Sequence, residues 1–168
     1  LGIEQDMVPD AVVERCEKEF EMADKVMVAS KFSLETMVEH GVPREKLVLN
    51  PHGVDLEFFQ PPRVRPEGFK VLYVGPNYVR KGLIYALLAW GRVKVAPQDE
   101  FLVAPLDSLP LDAPGARATG RVSNDALRAL YQTSDVFLLP TLEEGMALAP
   151  LEAAACGCAI VTTEASGV

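Results

Sequence analysis

At 168 residues, with 49% hydrophobic and 7% aromatic side chains, the chain has room for one domain with a substantial core and the composition of an α/β protein. A net charge of −8 argues against nucleic acid as a partner. No secretory signal is expected from these residues, and no apolar run approaches the roughly 18 residues of a membrane span.

Residues 10–24 place Val12, Val13, Cys16, Phe20 and Met22 among acidic side chains, which predicts an amphipathic helix starting at Pro9-Asp10 with a solvated acidic face. Residues 25–30 read as a short strand, and Ser30 is a cap for a helix over 32–40 that Gly41-Val42-Pro43 ends. Residues 46–50 form the next strand, followed by the turn Pro51-His52-Gly53-Val54-Asp55. A lone histidine in a turn, His52 is read as structural or exposed. A polar, proline-rich connector occupies 61–68.

Phe69-Lys70-Val71-Leu72-Tyr73-Val74-Gly75 is a buried strand, and 83–90 a helix beyond the loop Pro76-Asn77-Tyr78-Val79-Arg80-Lys81-Gly82. Cations at such a strand-loop-helix corner are well placed to meet phosphate together with helix N–H groups. Strands follow at 100–104 and 116–119, separated by a proline-rich loop. Ser123 caps a helix over 124–132. Residues 135–140 form a further buried strand, residues 153–157 a helix closed by Gly157, and 158–163 the last strand. Alternating strands and helices predict a parallel sheet with helices on both faces. The three cysteines are odd in number and show no zinc spacing, so reduced, buried thiols in a cytoplasmic setting are expected.

Two carboxylates, Glu144 and Glu152, bracket the loop after the 135–140 strand. Ionised carboxylates accept hydrogen bonds only, so their partners are sugar or ribose hydroxyls or a cation. The plainer reading makes Glu144 a loop charge and Glu152 a residue favoured by the helix dipole. The run Pro140-Thr141-Leu142-Glu143-Glu144-Gly145-Met146-Ala147-Leu148, then Glu152-Ala153-Ala154-Ala155-Cys156-Gly157, resembles the Glu-x7-Glu signature of the retaining nucleotide-sugar glycosyltransferases of GT-B architecture, the large family commonly numbered four. Three more landmarks fit it in order: the Gly53-Val54-Asp55 turn, Lys81-Gly82, and Gly120-Arg121-Val122 leading to Leu127, Leu130 and Tyr131. Four places depart from the family pattern, one of them His52, which stands where an asparagine is common. Met146-Ala147 replaces Phe-Gly, Pro76 stands where an arginine is common, and Pro105-Leu106-Asp107 replaces a Gly-x-Gly.

The resemblance implies a Rossmann-like domain at 63–168, C-terminally truncated, preceded by a linker and domain-entry region at 1–62. Since the chain starts without Met and stops just after a strand-like run, it is expected to be part of something longer. By the same resemblance, Lys81 and Arg80 offset the diphosphate of a nucleoside-diphosphate sugar, and Val122 borders the base. Backbone amides of Gly145, Met146, Ala147 and Leu148 meet phosphate and sugar oxygens; Glu152 binds ribose hydroxyls and Glu144 a sugar hydroxyl. Glu144 and Lys81 are the catalytic candidates, with retention of configuration and no obligatory metal or other cofactor. The acceptor belongs mainly to an N-terminal domain outside this chain, and peripheral membrane association of the full-length protein stays open. Two alternatives remain: a non-catalytic nucleotide-binding or scaffolding module derived from the same fold, and a nucleotide-sugar epimerase.

Overall fold

The computed structural model describes residues 8–62, 68–76 and 78–168. Residues 63–67 of the proline-rich connector and Asn77 of the loop before the Arg-Lys-Gly corner lie outside the described residues.

The elements run α1 (Asp10–Met22), β1 (Val26–Val28), α2 (Lys31–Glu39), a 3-10 turn (Arg44–Lys46), β2 (Leu47–Leu49), β3 (Lys70–Val74), α3 (Leu83–Trp90), β4 (Glu100–Ala104), β5 (Ala116–Ala118), α4 (Asn124–Thr133), β6 (Val136–Leu139), α5 (Leu148–Ala155), β7 (Ala159–Thr162) and a closing 3-10 turn (Glu164–Ser166). Local chemistry accounts for most boundaries. The Ser30 hydroxyl accepts from the Ser33 amide at the start of α2, and Ser123 accepts from the Ala126 amide at the start of α4. Gly41 and Gly157, at φ +90° and +87°, let the chain leave α2 and α5.

Five strands form one parallel sheet in the order β5-β4-β3-β6-β7, and β1 and β2 pair in parallel as a second, small sheet. β3 is central because its apolar run tolerates burial on both faces: Val71, Leu72 and Tyr73 are all buried. The chain steps from β3 to β4 in one direction and from β6 to β7 in the other. Right-handed crossovers therefore place α3 and α5 on opposite faces of the sheet. α4 packs beside α5.

The main core gathers Leu72, Tyr73, Leu83, Leu87, Phe101, Tyr131 and Phe137. Its few polar atoms are mostly matched. The Trp90 indole donates to the Pro114 carbonyl at 2.7 Å, and the Asp135 carboxylate accepts from the Lys70 amide at 2.9 Å. The small sheet has its own cluster of Val28, Leu34 and Leu47. α1 forms as its periodicity predicts, but it buries none of its residues, and Val12 and Val13 stay exposed. Among the described residues no helix is long and apolar enough to cross a membrane.

Candidate functional site

In an open parallel sheet the strand order reverses at one point, and the loops leaving the two strands there diverge to open a crevice at their carboxyl ends. That point lies between β3 and β6, neighbours in the sheet although 60-odd residues separate them in the chain. The loop leaving β3 carries Arg80 and Lys81; the loop leaving β6 carries Glu143 to Ala147. The topology alone brings these two loops together.

Contact between them is direct. The Lys81 ammonium lies 2.9 Å from Glu144 Oε1, and the Arg80 guanidinium 3.3 Å from Glu144 Oε2. Arg80 also donates to the Glu143 carbonyl at 2.8 Å. The backbone is stitched as well: the Leu142 amide and the Thr141 hydroxyl both donate to the Arg80 carbonyl, at 2.8 and 3.2 Å. Gly82 is required by this junction. Its φ is +73°, and a Cβ there would lie 1.8 Å from the Pro140 carbonyl oxygen. At Gly75 a Cβ would fall 2.5 Å from Lys81 Cδ, which runs over it, so a side chain there would displace Lys81. Burial by itself pushes the Glu144 carboxyl upward. The hydrogen bond and charge of Lys81, then those of Arg80, outweigh that and hold it below the ordinary carboxylate value. Glu144 is thus an anion held by two cations.

Beneath the cluster lies Tyr73, fully buried on β3, whose hydroxyl has no hydrogen-bond partner among the described residues. Burial, followed by the Glu144 charge, raises its pKa strongly, so it is a neutral phenol.

Glu152 belongs to a different constellation. It sits on α5 one helical turn beyond Leu148, and the buried Tyr131 hydroxyl of α4 donates to its Oε2 at 2.8 Å. Burial, then the Glu152 carboxylate, raises the Tyr131 pKa, so this hydroxyl is a permanent donor. Burial and then Glu152 likewise push the Cys156 thiol up, leaving it an un-ionised core group. Glu144 and Glu152 therefore have separate partners. Val122 lies half-buried just before the Ser123 cap, at the same edge of the sheet but beyond β5, two strands from β3.

The four loop amides divide. Ala147 donates to the Ser166 carbonyl at 2.9 Å, which removes it from the expected set of donors. The Gly145 carbonyl accepts from the hydroxyls of Ser30 and, at 2.8 Å, Ser33, both on the small-sheet unit. The Met146 sulfur lies 3.3 Å from the His52 amide. Leu148 opens α5, where the first N–H groups lack intrahelical acceptors. Among the described residues no group of three His, Cys, Asp or Glu side chains could hold a metal ion.

Sequence reasoning missed Tyr73, Tyr131 and the serine pair as contributors to this region. Tyr131 was visible only as a landmark of the Gly120 segment, and Ser30 only as a cap. Nothing in the sequence pattern marks Tyr73, whose position on a buried strand reads as core.

A family profile described as Glycosyl transferases group 1 matches residues 68–168. An MMP alpha-(1->4)-mannosyltransferase of Mycolicibacterium hassiacum is 25% identical over 158 residues, covering 88% of this chain and 38% of that protein. A sucrose-phosphate synthase from Thermosynechococcus elongatus superposes with a TM-score of 0.76 at 23% identity, covering 96% of this chain and 46% of the other. Anabaena Alr3699/HepE, solved in complex with UDP and glucose, superposes at 0.75 with 14% identity, covering 96% of this chain and 50% of that one. The chain thus spans about two fifths of the length of the curated relatives it matches.

Proposed function

Because this chain belongs to the glycosyl transferases group 1 family, we propose that it is the donor-binding part of an enzyme that moves a sugar from a nucleoside-diphosphate sugar to an acceptor, with retention at the anomeric carbon. The observation carrying this reading is the Arg80–Lys81–Glu144 ion cluster at the sheet's switch point, where a phosphate-bearing ligand meets both cations and the start of α5.

In the transfer, the bond from the anomeric carbon to the diphosphate oxygen breaks and a bond to the acceptor oxygen forms. The acceptor hydroxyl proton passes to the departing diphosphate oxygen, and the nucleoside diphosphate leaves carrying the electron pair. Negative charge grows on the leaving oxygen. Lys81, Arg80 and the amides of Gly145, Met146 and Leu148 are fixed donors for it, and fixed donors need little reorganisation as charge develops. The diphosphate competes with Glu144 for the same two cations. As it takes them over, the Glu144 carboxylate turns to a sugar hydroxyl. Glu152, oriented by Tyr131, accepts from ribose hydroxyls, and Val122 packs against the base. The side chains supply the positive charge, so the reading calls for no obligatory metal.

Residues 63–168 form the nucleotide-sugar domain in this reading and residues 1–62 the entry region, with the acceptor held mainly elsewhere in a longer cytoplasmic protein. The test is a thermal-shift series with UDP-glucose, GDP-mannose and ADP-glucose on the wild type and Glu152→Ala. At least one donor raises the wild-type midpoint, and the shift falls in the variant. If Glu152→Ala leaves every shift as it was, the ribose role is wrong; if no donor shifts the wild type, the donor-binding reading is wrong.

A further inference from the structure

The Gly145–Met146 peptide carries an arrangement that the assigned roles leave unexplained. Its carbonyl points at the start of α2 and accepts from two hydroxyls, Ser30 and Ser33. The two hydroxyl oxygens also lie 3.1 Å from each other, but each hydroxyl has one proton and the carbonyl oxygen two lone pairs, so both protons can be given to the carbonyl at once. Ser30 meanwhile accepts from the Ser33 amide at 3.0 Å, which fixes its oxygen with the proton directed outward. Ser30 is buried, and the junction is tight. A Cβ at Gly167 would lie 2.5 Å from the Gly145 oxygen and 2.9 Å from Ser30 Oγ. One residue on, the Ala147 amide is tied to the Ser166 carbonyl. The peptide is therefore held on both sides.

A trans peptide is planar, with its N–H antiparallel to its C=O. Fixing the carbonyl toward α2 fixes the Met146 N–H in the opposite direction. We propose that Ser30 and Ser33 are positioning residues that lock the Gly145–Met146 peptide so that the Met146 amide is presented to the donor's phosphate or sugar oxygens. The two hydroxyls also polarise the peptide, which makes that N–H a stronger donor. The inference rests on the donor-binding reading and adds to it a part supplied from the small-sheet unit, not from the domain that carries the ion cluster.

Two variants separate the lock from the helix cap. Ser33→Ala removes one donor and leaves the cap. Ser30→Asp keeps a side-chain oxygen that can accept from the Ser33 amide but has no proton for the carbonyl. Amide NMR of the ligand-free protein reads the lock without any donor. In the wild type the Met146 resonance is single and sharp; in both variants it broadens or splits, and Ser33→Thr restores it. With whichever of UDP-glucose, GDP-mannose or ADP-glucose binds the wild type, both variants bind about fivefold more weakly, the size of one lost hydrogen bond. An unchanged Met146 resonance in both variants overturns the lock. A perturbed resonance with unchanged donor affinity overturns the presentation of the amide to the donor. A wild type that binds none of the three nucleotide-sugars overturns the donor-binding reading, and the role of the lock with it.

Discussion

Replacing Lys81 by Met tests the centre of the site. Methionine keeps an unbranched apolar chain over Gly75, with a thioether sulfur at the δ position, and removes the ammonium with its charge and donors. In the wild type the ammonium sits 2.9 Å from Glu144 Oε1, with the two side chains 18% and 13% exposed. Breaking a fully buried pair costs roughly 3–5 kcal/mol, whereas an exposed one contributes about 0–1. Arg80 remains at 3.3 Å as a second partner, but it is 41% exposed and more screened. The expected loss at pH 7 is therefore about 1–2 kcal/mol, read from urea denaturation midpoints at constant slope. The sign with pH follows from Glu144. Its folded-state pKa is depressed below the ordinary 4.5, so its contribution is fully present above about pH 4.5 and is lost as the pH falls through the folded value. The gap between wild type and Lys81→Met should thus be constant from pH 7 down to about 4.5 and close below it. A gap that does not narrow in acid, or a variant as stable as the wild type at pH 7, would refute the assignment of Glu144 as an anion held by Lys81.

Gly82→Ala should be severely destabilising, by about 3 kcal/mol or more, because its Cβ collides with the Pro140 carbonyl and its φ is positive; Gly41→Ala, also at positive φ but in open space, should cost only about 1, and comparing their thermal midpoints checks the difference. Tyr73→Phe removes a buried hydroxyl that has no hydrogen-bond partner among the described residues, so urea unfolding should show a stability unchanged or raised by up to about 1 kcal/mol; a clear loss would mean that the hydroxyl is engaged. In a double-mutant cycle of Tyr131→Phe with Glu152→Ala, which leaves no acceptor, the coupling should be about 1.5–3 kcal/mol, as for a hydrogen bond to a carboxylate, and a coupling near zero would dissolve the pair.

The architecture was legible because its signals are local. The apolar run of β3, the caps Ser30 and Ser123, and the closing Gly41 and Gly157 fix elements within a few residues of themselves. The start of α5 was not legible in that way: helix begins at Leu148, with no side-chain cap to announce it, five residues ahead of the expected 153. The 3-10 turn Arg44–Lys46, which trims the front of β2, likewise carries no distinctive pattern. For the site, the family resemblance, added to the residue types, named Arg80, Lys81 and Glu144, but their pairing depends on β6 lying next to β3, a property of sheet order and not of any window of sequence. The commitment of the Ala147 amide to Ser166, of Glu152 to Tyr131 and of the Gly145 carbonyl to two serines arises from contacts across about 20 to 115 residues of chain. Periodicity has no access to contacts of that range.

With β4 and β5 attached along one flank of β3 and β6 and β7 along the other, the rim at the carboxyl ends of the strands is built from two stretches of chain that can vary independently. Substitutions or insertions in residues 105–122 reshape the outer end of the rim, where Val122 lies, while Arg80, Lys81 and Glu144 stay anchored to the central strands. On the donor-binding proposal, a lineage using this scaffold can thus exchange the moiety met at one end and retain the charged corner at the other.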